Sequence, residues 1–242
     1  MRFSGKTDVG KVRAENQDSF ETGEFPGGVF AVVCDGMGGA AGGSVASSLA
    51  ASVYKRELES ACAQGLPDGS AGDFMTAAAE RANAEVYDKS QAEPSLSGMG
   101  TTIVSAMIVG EKLFIIHAGD SRAYLFSNGC LKLLTKDHSV VQSLLDSGYI
   151  TPEQAEHHMY KNLITRALGT EPQVPVDFNI YSIADGEYVL LCTDGLTNYL
   201  RPEEIARIIG EGEFDGCADA LVRAANDNGG GDNVTAVIFG KQ

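Results

Sequence analysis

Val29-Phe30-Ala31-Val32-Val33-Cys34 is an unbroken apolar run that stops at Asp35-Gly36. It is short, rich in Val and bounded by a turn dipeptide, so it reads as a buried strand. The same ending recurs along the chain. Residues 113–118 form an apolar run closed by Gly119-Asp120, and residues 188–193 lead into Asp194-Gly195. A fourth case runs the other way: Gly229-Gly230-Gly231-Asp232-Asn233 opens the run 234–239. In antiparallel sheets some strands begin at the edge where their neighbours end. Four aspartates from distant parts of the chain can therefore meet at one edge, and the flanking glycines let the backbone turn sharply and approach a ligand.

Four carboxylates in a poorly solvated site repel one another, so either protons or cations must compensate them. The candidate site offers oxygen ligands only, with no His or Cys cluster beside it. That donor set suits Mg²⁺, Mn²⁺ or Ca²⁺ and argues against Zn²⁺. Carboxylates shared between two ions describe a two-metal hydrolytic centre. One Asp-Gly alone is an ordinary turn dipeptide; the repetition at strand ends carries the weight.

Further strands are expected at 102–109, 123–126 and 187–192. The links at 110–112 and 119–122 are too short for a parallel crossover, so 102–126 is expected to form an antiparallel meander. Helical patterns cover 44–62, 73–92, 202–209 and 218–226, the third starting on Pro202 as a first-turn proline should. Strands in meanders plus paired long helices indicate an α+β layered domain with helices outside the sheets. Asp137 to about Thr170 is polar, carries two short helical patches and interrupts the strands, which reads as a flap inserted over one sheet edge.

Bulk properties narrow the function. With 18 Lys+Arg against 33 Asp+Glu, the formal charge is −15, which repels phosphate backbones and argues against nucleic-acid binding. Cys34, Cys62, Cys130, Cys192 and Cys217 are scattered without a CxxC pair, as expected for reduced thiols. Residues 1–12 carry no apolar signal region, and no apolar run reaches the roughly 18 residues that span a bilayer. A soluble cytoplasmic protein is the expectation. Arg13 offers a planar fork for phosphate oxygens, although alone it would fit a surface cation as well. The glycine-rich run 36–43 follows a strand and opens a helix, the setting of a nucleotide loop, but it lacks the lysine of a P-loop and is a poor GxGxxG.

Eight short stretches occur in one order: Arg13-Ala-Glu-Asn-Gln-Asp18, Asp35-Gly-Met-Gly-Gly39, Gly100-Thr-Thr102, Ala118-Gly-Asp-Ser-Arg122, Thr135-Lys-Asp-His-Ser139, Ile164-Thr-Arg-Ala-Leu-Gly169, Thr193-Asp-Gly195 and Asp232-Asn-Val-Thr235. Together they resemble the metal-dependent protein phosphatase family of type 2C, in its short bacterial form. The resemblance implies a single catalytic domain over 1–242, a four-layer αββα sandwich of two antiparallel β-sheets flanked by helices, with the flap at about 137–170. It implies hydrolysis of phosphoserine and phosphothreonine on proteins by water activated between two Mn²⁺ or Mg²⁺ ions. Asp35 would bridge the ions, the Gly36 carbonyl would ligate one, and Asp194 and Asp232 would complete the other. Asp120 with Asp194 would hold a weaker third ion. Asp18 would act through bound water, Asn233 would orient Asp232, and Arg13 would grip the substrate phosphate. The implied partners are phosphorylated proteins and an opposing Ser/Thr kinase, with a monomeric protein and no membrane attachment.

Two other readings compete: a catalytically dead phosphoprotein-binding module on the same fold, which would need a lost ligand although Asp35, Asp194 and Asp232 are all present, and a nucleotide-binding enzyme using residues 36–43. One departure from the resemblance concerns Met37, which stands where some animal members carry a histidine proposed as general acid. Of the four histidines, His117 is expected in the core, His157 and His158 on the flap surface, and His138 at the turn before a helix.

Overall fold

A computed structural model describes residues 1–241 apart from 68 and 157, and it leaves the side chains of residues 40, 41 and 156 undescribed. The expectation for His157 lies outside the described residues. The described residues form eleven strands: β1 (Arg2–Asp8), β2 (Asp18–Phe25), β3 (Gly28–Met37), β4 (Gly100–Thr101), β5 (Ile103–Val109), β6 (Lys112–Ala118), β7 (Arg122–Ser127), β8 (Cys130–Leu133), β9 (Asp177–Ser182), β10 (Tyr188–Cys192) and β11 (Val234–Gly240). They form two antiparallel sheets, ordered β1-β11-β10-β7-β8 and β2-β3-β5-β6-β9, with β4 added to the end of β3.

The run 29–34 is apolar throughout because β3 is buried on both faces. Val29, Ala31 and Val33 point into the space between the sheets, where they meet Val104, Ala106, Ile115, Val189, Leu191, Val237 and Phe239. Phe30, Val32 and Cys34 point the other way, against Ala46, Val53 and Tyr54 of α1 (Gly39–Cys62) and Met75 and Ala79 of α2 (Ala71–Ala92). The period-2 alternation of a strand thus divides one run between two cores.

The other sheet behaves likewise. Leu190, Cys192, Ala236 and Ile238 pack outward on Leu196 of α5 (Asp194–Thr197), Ile205 and Ile209 of α6 (Pro202–Glu211) and Leu221 and Ala225 of α7 (Cys217–Asp227). Three apolar interfaces stacked in this way make four layers, helix–sheet–sheet–helix. The helical expectations fall inside α1, α2, α6 and α7.

The expected meander is corrected. β5 and β6 do pair antiparallel, but β7 leaves that sheet and pairs with β10 and β8 in the other. A short link excludes a parallel crossover within one sheet, but it permits a corner between two packed sheets. Gly119 makes that corner with φ +112°, a conformation costly for any side-chain-bearing residue. The segment about 137–170 leaves the sheets, forms α3 (Val140–Asp146) and α4 (Pro152–Glu156), and closes through the bridge Ser139↔Ile164.

Candidate metal centre

β3 and β6 each pair antiparallel with β5, so they run in the same direction and finish at the same edge. Asp35 lies near the end of β3, opposite Asp18 of β2, and Asp120 follows β6. In the second sheet β10 ends where its antiparallel partner β11 begins, which brings Asp194, the first residue of α5, beside Asp232. Arg13, Asp35, Gly36, Asp120, Asp194 and Asp232 line one cleft of about 570 Å³ together with Gln17, Thr102, Asn162 and Ile164.

Local sequence explains the close approach. A Cβ on Gly36 would collide with the Gly43 carbonyl, and one on Gly195 with the Asn233 carbonyl. These glycines let α1 press against β3, which bears Asp35, and let the start of β11 press against α5, which bears Asp194. The glycine run follows a strand and opens a helix, as its sequence suggests. Gly36 and Met37 still belong to β3, and α1 starts at Gly39, so the run forms no open phosphate loop. Its glycines at 36 and 43 serve packing instead.

Burial and mutual repulsion raise the pKa values of Asp35, Asp120, Asp194 and Asp18. Asp35 is held well above the usual range by loss of water and by Asp18, Asp194 and Asp120. Asp120 is pushed up to about 7 by burial, then by Asp194 and Asp137. Burial and Asp232 raise Asp194. Asp18 is also pushed up to about 7 by burial, although the Thr235 and Thr193 hydroxyls oppose the shift by donating to its Oδ2 at 2.7 and 2.9 Å. Its other oxygen, Oδ1, is buried without a hydrogen-bond partner. An orphaned carboxylate oxygen costs free energy unless something positive or a water meets it. With an all-oxygen donor set, the site fits a hard divalent cation.

Asn233 touches Asp232 through its backbone and a neighbouring loop through its side chain. Its side chain pins the loop that carries Arg13: Oδ1 accepts from the Gln17 N–H at 2.8 Å, and Nδ2 donates to the Val9 and Glu15 carbonyls at 2.9 Å each. Asp232 Oδ1 instead accepts from the Asn233 backbone N–H at 2.9 Å. Arg13 makes a two-point fork on Asp232, with Nη2 at 2.9 Å from Oδ2 and Nε at 2.8 Å from Oδ1.

Sequence reasoning assigned no role to Thr193, Thr235, Thr102, Gln17, Asn162 or Ile164. Thr193, Thr235, Thr102, Gln17 and Ile164 sit inside the quoted stretches, which was their only signal. Asn162 reaches the cleft from the segment about 137–170, where composition alone gave no indication.

Among the described residues, the one trio of His, Cys, Asp or Glu ligand atoms within 4.8 Å of one another is His117, His138 and Asp177. Arg166 already occupies that position, with Nη1 at 2.7 Å from Asp177 Oδ1 and 3.1 Å from His138 Nε2, so the trio is satisfied by an internal cation. His117 is buried as expected and stacks on His138 at 4.6 Å; neither lines the cleft.

Comparison with known proteins places this arrangement. The profile described as Protein phosphatase 2C matches residues 10–235. The serine/threonine protein phosphatase PstP of Mycobacterium tuberculosis is 37% identical over 241 residues, covering 98% of this chain and 44% of PstP. The chain thus spans less than half the length of that relative. The serine/threonine phosphatase stp of Listeria monocytogenes is 36% identical over 247 residues, covering 98% of this chain and 95% of stp. The crystal structure of the PstP catalytic domain in complex with two manganese ions superposes with a TM-score of 0.85 at 35% identity, covering 98% of this chain and 96% of that one. By sequence over nearly its whole length, and by the fold that gathers its aspartates, the chain belongs to the protein phosphatase 2C family.

Proposed function

We propose that the chain is a metal-dependent serine/threonine protein phosphatase, its 242 residues forming one catalytic domain with a flap at about 137–170. The observation that carries this reading is the convergence of Asp35, Asp120, Asp194 and Asp232 on one cleft that also presents Arg13. Asp35 and the Gly36 carbonyl, with Asp194 and Asp232, would hold two Mn²⁺ or Mg²⁺ ions; Asp120 with Asp194 would hold a weaker third. The PstP relative bound to two manganese ions supports that count. When bound, such a pair supplies water activation and charge neutralisation for phosphoryl transfer to water.

The chain's own residues do the rest. The Arg13 guanidinium binds phosphate oxygens in the fork geometry it now uses on Asp232, and so orients the phosphoryl group. Asp18, held at Oδ2 by the Thr193 and Thr235 hydroxyls, would act on the ions through bound water. Asn233 fixes the loop that bears Arg13. Met37 carries no ionisable proton, so the leaving oxygen receives its proton from water or a group other than residue 37.

The substrates are phosphorylated proteins and the opposing partner a Ser/Thr kinase, in cytoplasmic signalling by a monomer. Cys34, Cys62, Cys192 and Cys217, each buried and unpaired, suit a reducing compartment. No described helix is long and apolar enough to cross a membrane.

The test is Mn²⁺-dependent hydrolysis of a phosphothreonine peptide. Wild type should turn over only with the metal, and Asp35→Asn and Asp232→Asn should each lose at least about a hundredfold, as expected when a metal site loses its charge complement. A wild type inert with Mn²⁺ and Mg²⁺ would reject the assignment.

A further inference from the structure

Asp35 is held by an unusual hand. At Val33, β3 pairs with Val104 of β5, and beyond Asp35 it pairs with β4 at Gly36 and Met37. Thr102 lies at the break between those two partners. The Asp35 N–H finds no backbone carbonyl there and donates to Thr102 Oγ1 at 2.9 Å. The Asp35 carbonyl accepts from the Thr102 N–H at 2.8 Å and from Thr101 Oγ1 at 2.9 Å. A single side-chain rotamer thus sets the amide of a residue whose carboxylate faces the cleft.

The same hydroxyl reaches a second carboxylate's element. Thr102 Oγ1 lies 2.7 Å from Ser121 Oγ, and Thr102 and Ser121 are 3% and 1% exposed. Ser121 follows Asp120 at the corner where the chain passes from one sheet to the other. Gly119 packs there so closely that a Cβ would come within 2.6 Å of the Thr102 methyl. A buried hydroxyl pair has few alternative partners, so moving one member strands the other.

We infer that the Thr102–Ser121 pair is a positioning device that locks Asp35 to the Asp120 corner, so that these two carboxylates keep the spacing divalent ions require. The inference rests on the metal-centre reading above. Neither residue is assigned contact with substrate; both act through Asp35 and Asp120.

The test separates positioning from mere stability. Mn²⁺ uptake by metal-free protein is measured by calorimetry, and melting of the same metal-free samples is followed in parallel. Thr102→Val keeps the shape and removes the hydroxyl; Thr102→Ser keeps the hydroxyl. Thr102→Val should weaken Mn²⁺ binding about tenfold or more, the usual penalty for losing a group that orients a ligand. Thr102→Ser should stay within about twofold, and Ser121→Ala should weaken binding about three- to tenfold. The double variant T102V/S121A should be no weaker than T102V alone, because the two share one hydrogen bond. If T102V does not fold, S121A and T102S decide by the same criteria. Wild-type Mn²⁺ affinity in the hydroxyl-deleted variants, with only the melting temperature lowered, would overturn the inference alone. No uptake by wild type would overturn the metal-centre reading and the inference with it.

Discussion

Arg13 grips Asp232 through two guanidinium nitrogens, and that fork sets what its removal does. The pair is partly exposed, so the ion pair itself contributes little to stability. Arg13→Ala should therefore leave the fold and the Mn²⁺ affinity nearly unchanged while raising KM for a phosphopeptide about tenfold, or ~1.4 kcal/mol. Steady-state kinetics at saturating metal would check this, and an unaltered KM would remove Arg13 from phosphate binding. The aspartates and Arg13 were legible because each sits beside a glycine or in a short charged stretch. Asn233 was legible as a site residue, but its side-chain contacts were not: nothing in Asp232-Asn233 says that the amide turns back to Val9, Glu15 and Gln17, some 220 residues earlier. Thr193 and Thr235 escaped for a related reason, since a hydroxyl in an apolar strand reads as tolerated polarity until Asp18 appears between the two.

At the scale of elements, the strands recovered from periodicity are those with apolar residues on both faces. Four of the strands missed, β1, β2, β8 and β9, are the four edges of the two sheets. β9 (DFNIYS) alternates half-buried and exposed positions along its length, and β8 is exposed or half-buried throughout, so neither shows an unbroken apolar run. Polar residues on edge strands guard against unwanted pairing, and this disguises the strands as loops. The same logic explains the misplaced β7, whose run announces a strand without saying which sheet receives it. The packing of α1 on β3 has its own test. Gly36→Ala would drive a methyl into the Gly43 backbone, which cannot yield as a flexible side chain could. Urea denaturation of the metal-free variant should show a loss of about 2 kcal/mol or more, and stability equal to wild type would contradict the close approach.

For the whole molecule, folding without metal brings four carboxylates together at a cost that depends on pH. Asp18, Asp35, Asp120 and Asp194 all have pKa values raised in the folded state. A raised carboxylate pKa favours folding below the unfolded value, near 4, and that contribution is lost as pH climbs through the folded value. For Asp18 and Asp120 the folded values are about 7. These groups therefore make metal-free protein progressively less stable between about pH 4 and about pH 7. A divalent cation offsets the repulsion and displaces the protons, so the rise in Tm on adding Mn²⁺ should be larger at about pH 7.5 than at about pH 5. Differential scanning calorimetry checks this; a metal-induced rise that is equal at both pH values, or larger at the acid one, would contradict it.

The gathering of aspartates from both sheets is the feature on which the functional reading depends, and anomalous diffraction from crystals grown with Mn²⁺ tests it directly. The expected map shows two strong manganese peaks in the cleft, with the Asp35 carboxylate between them and Asp194 and Asp232 on one of the two ions. No peak in the cleft, or manganese bound only at the surface, would contradict it.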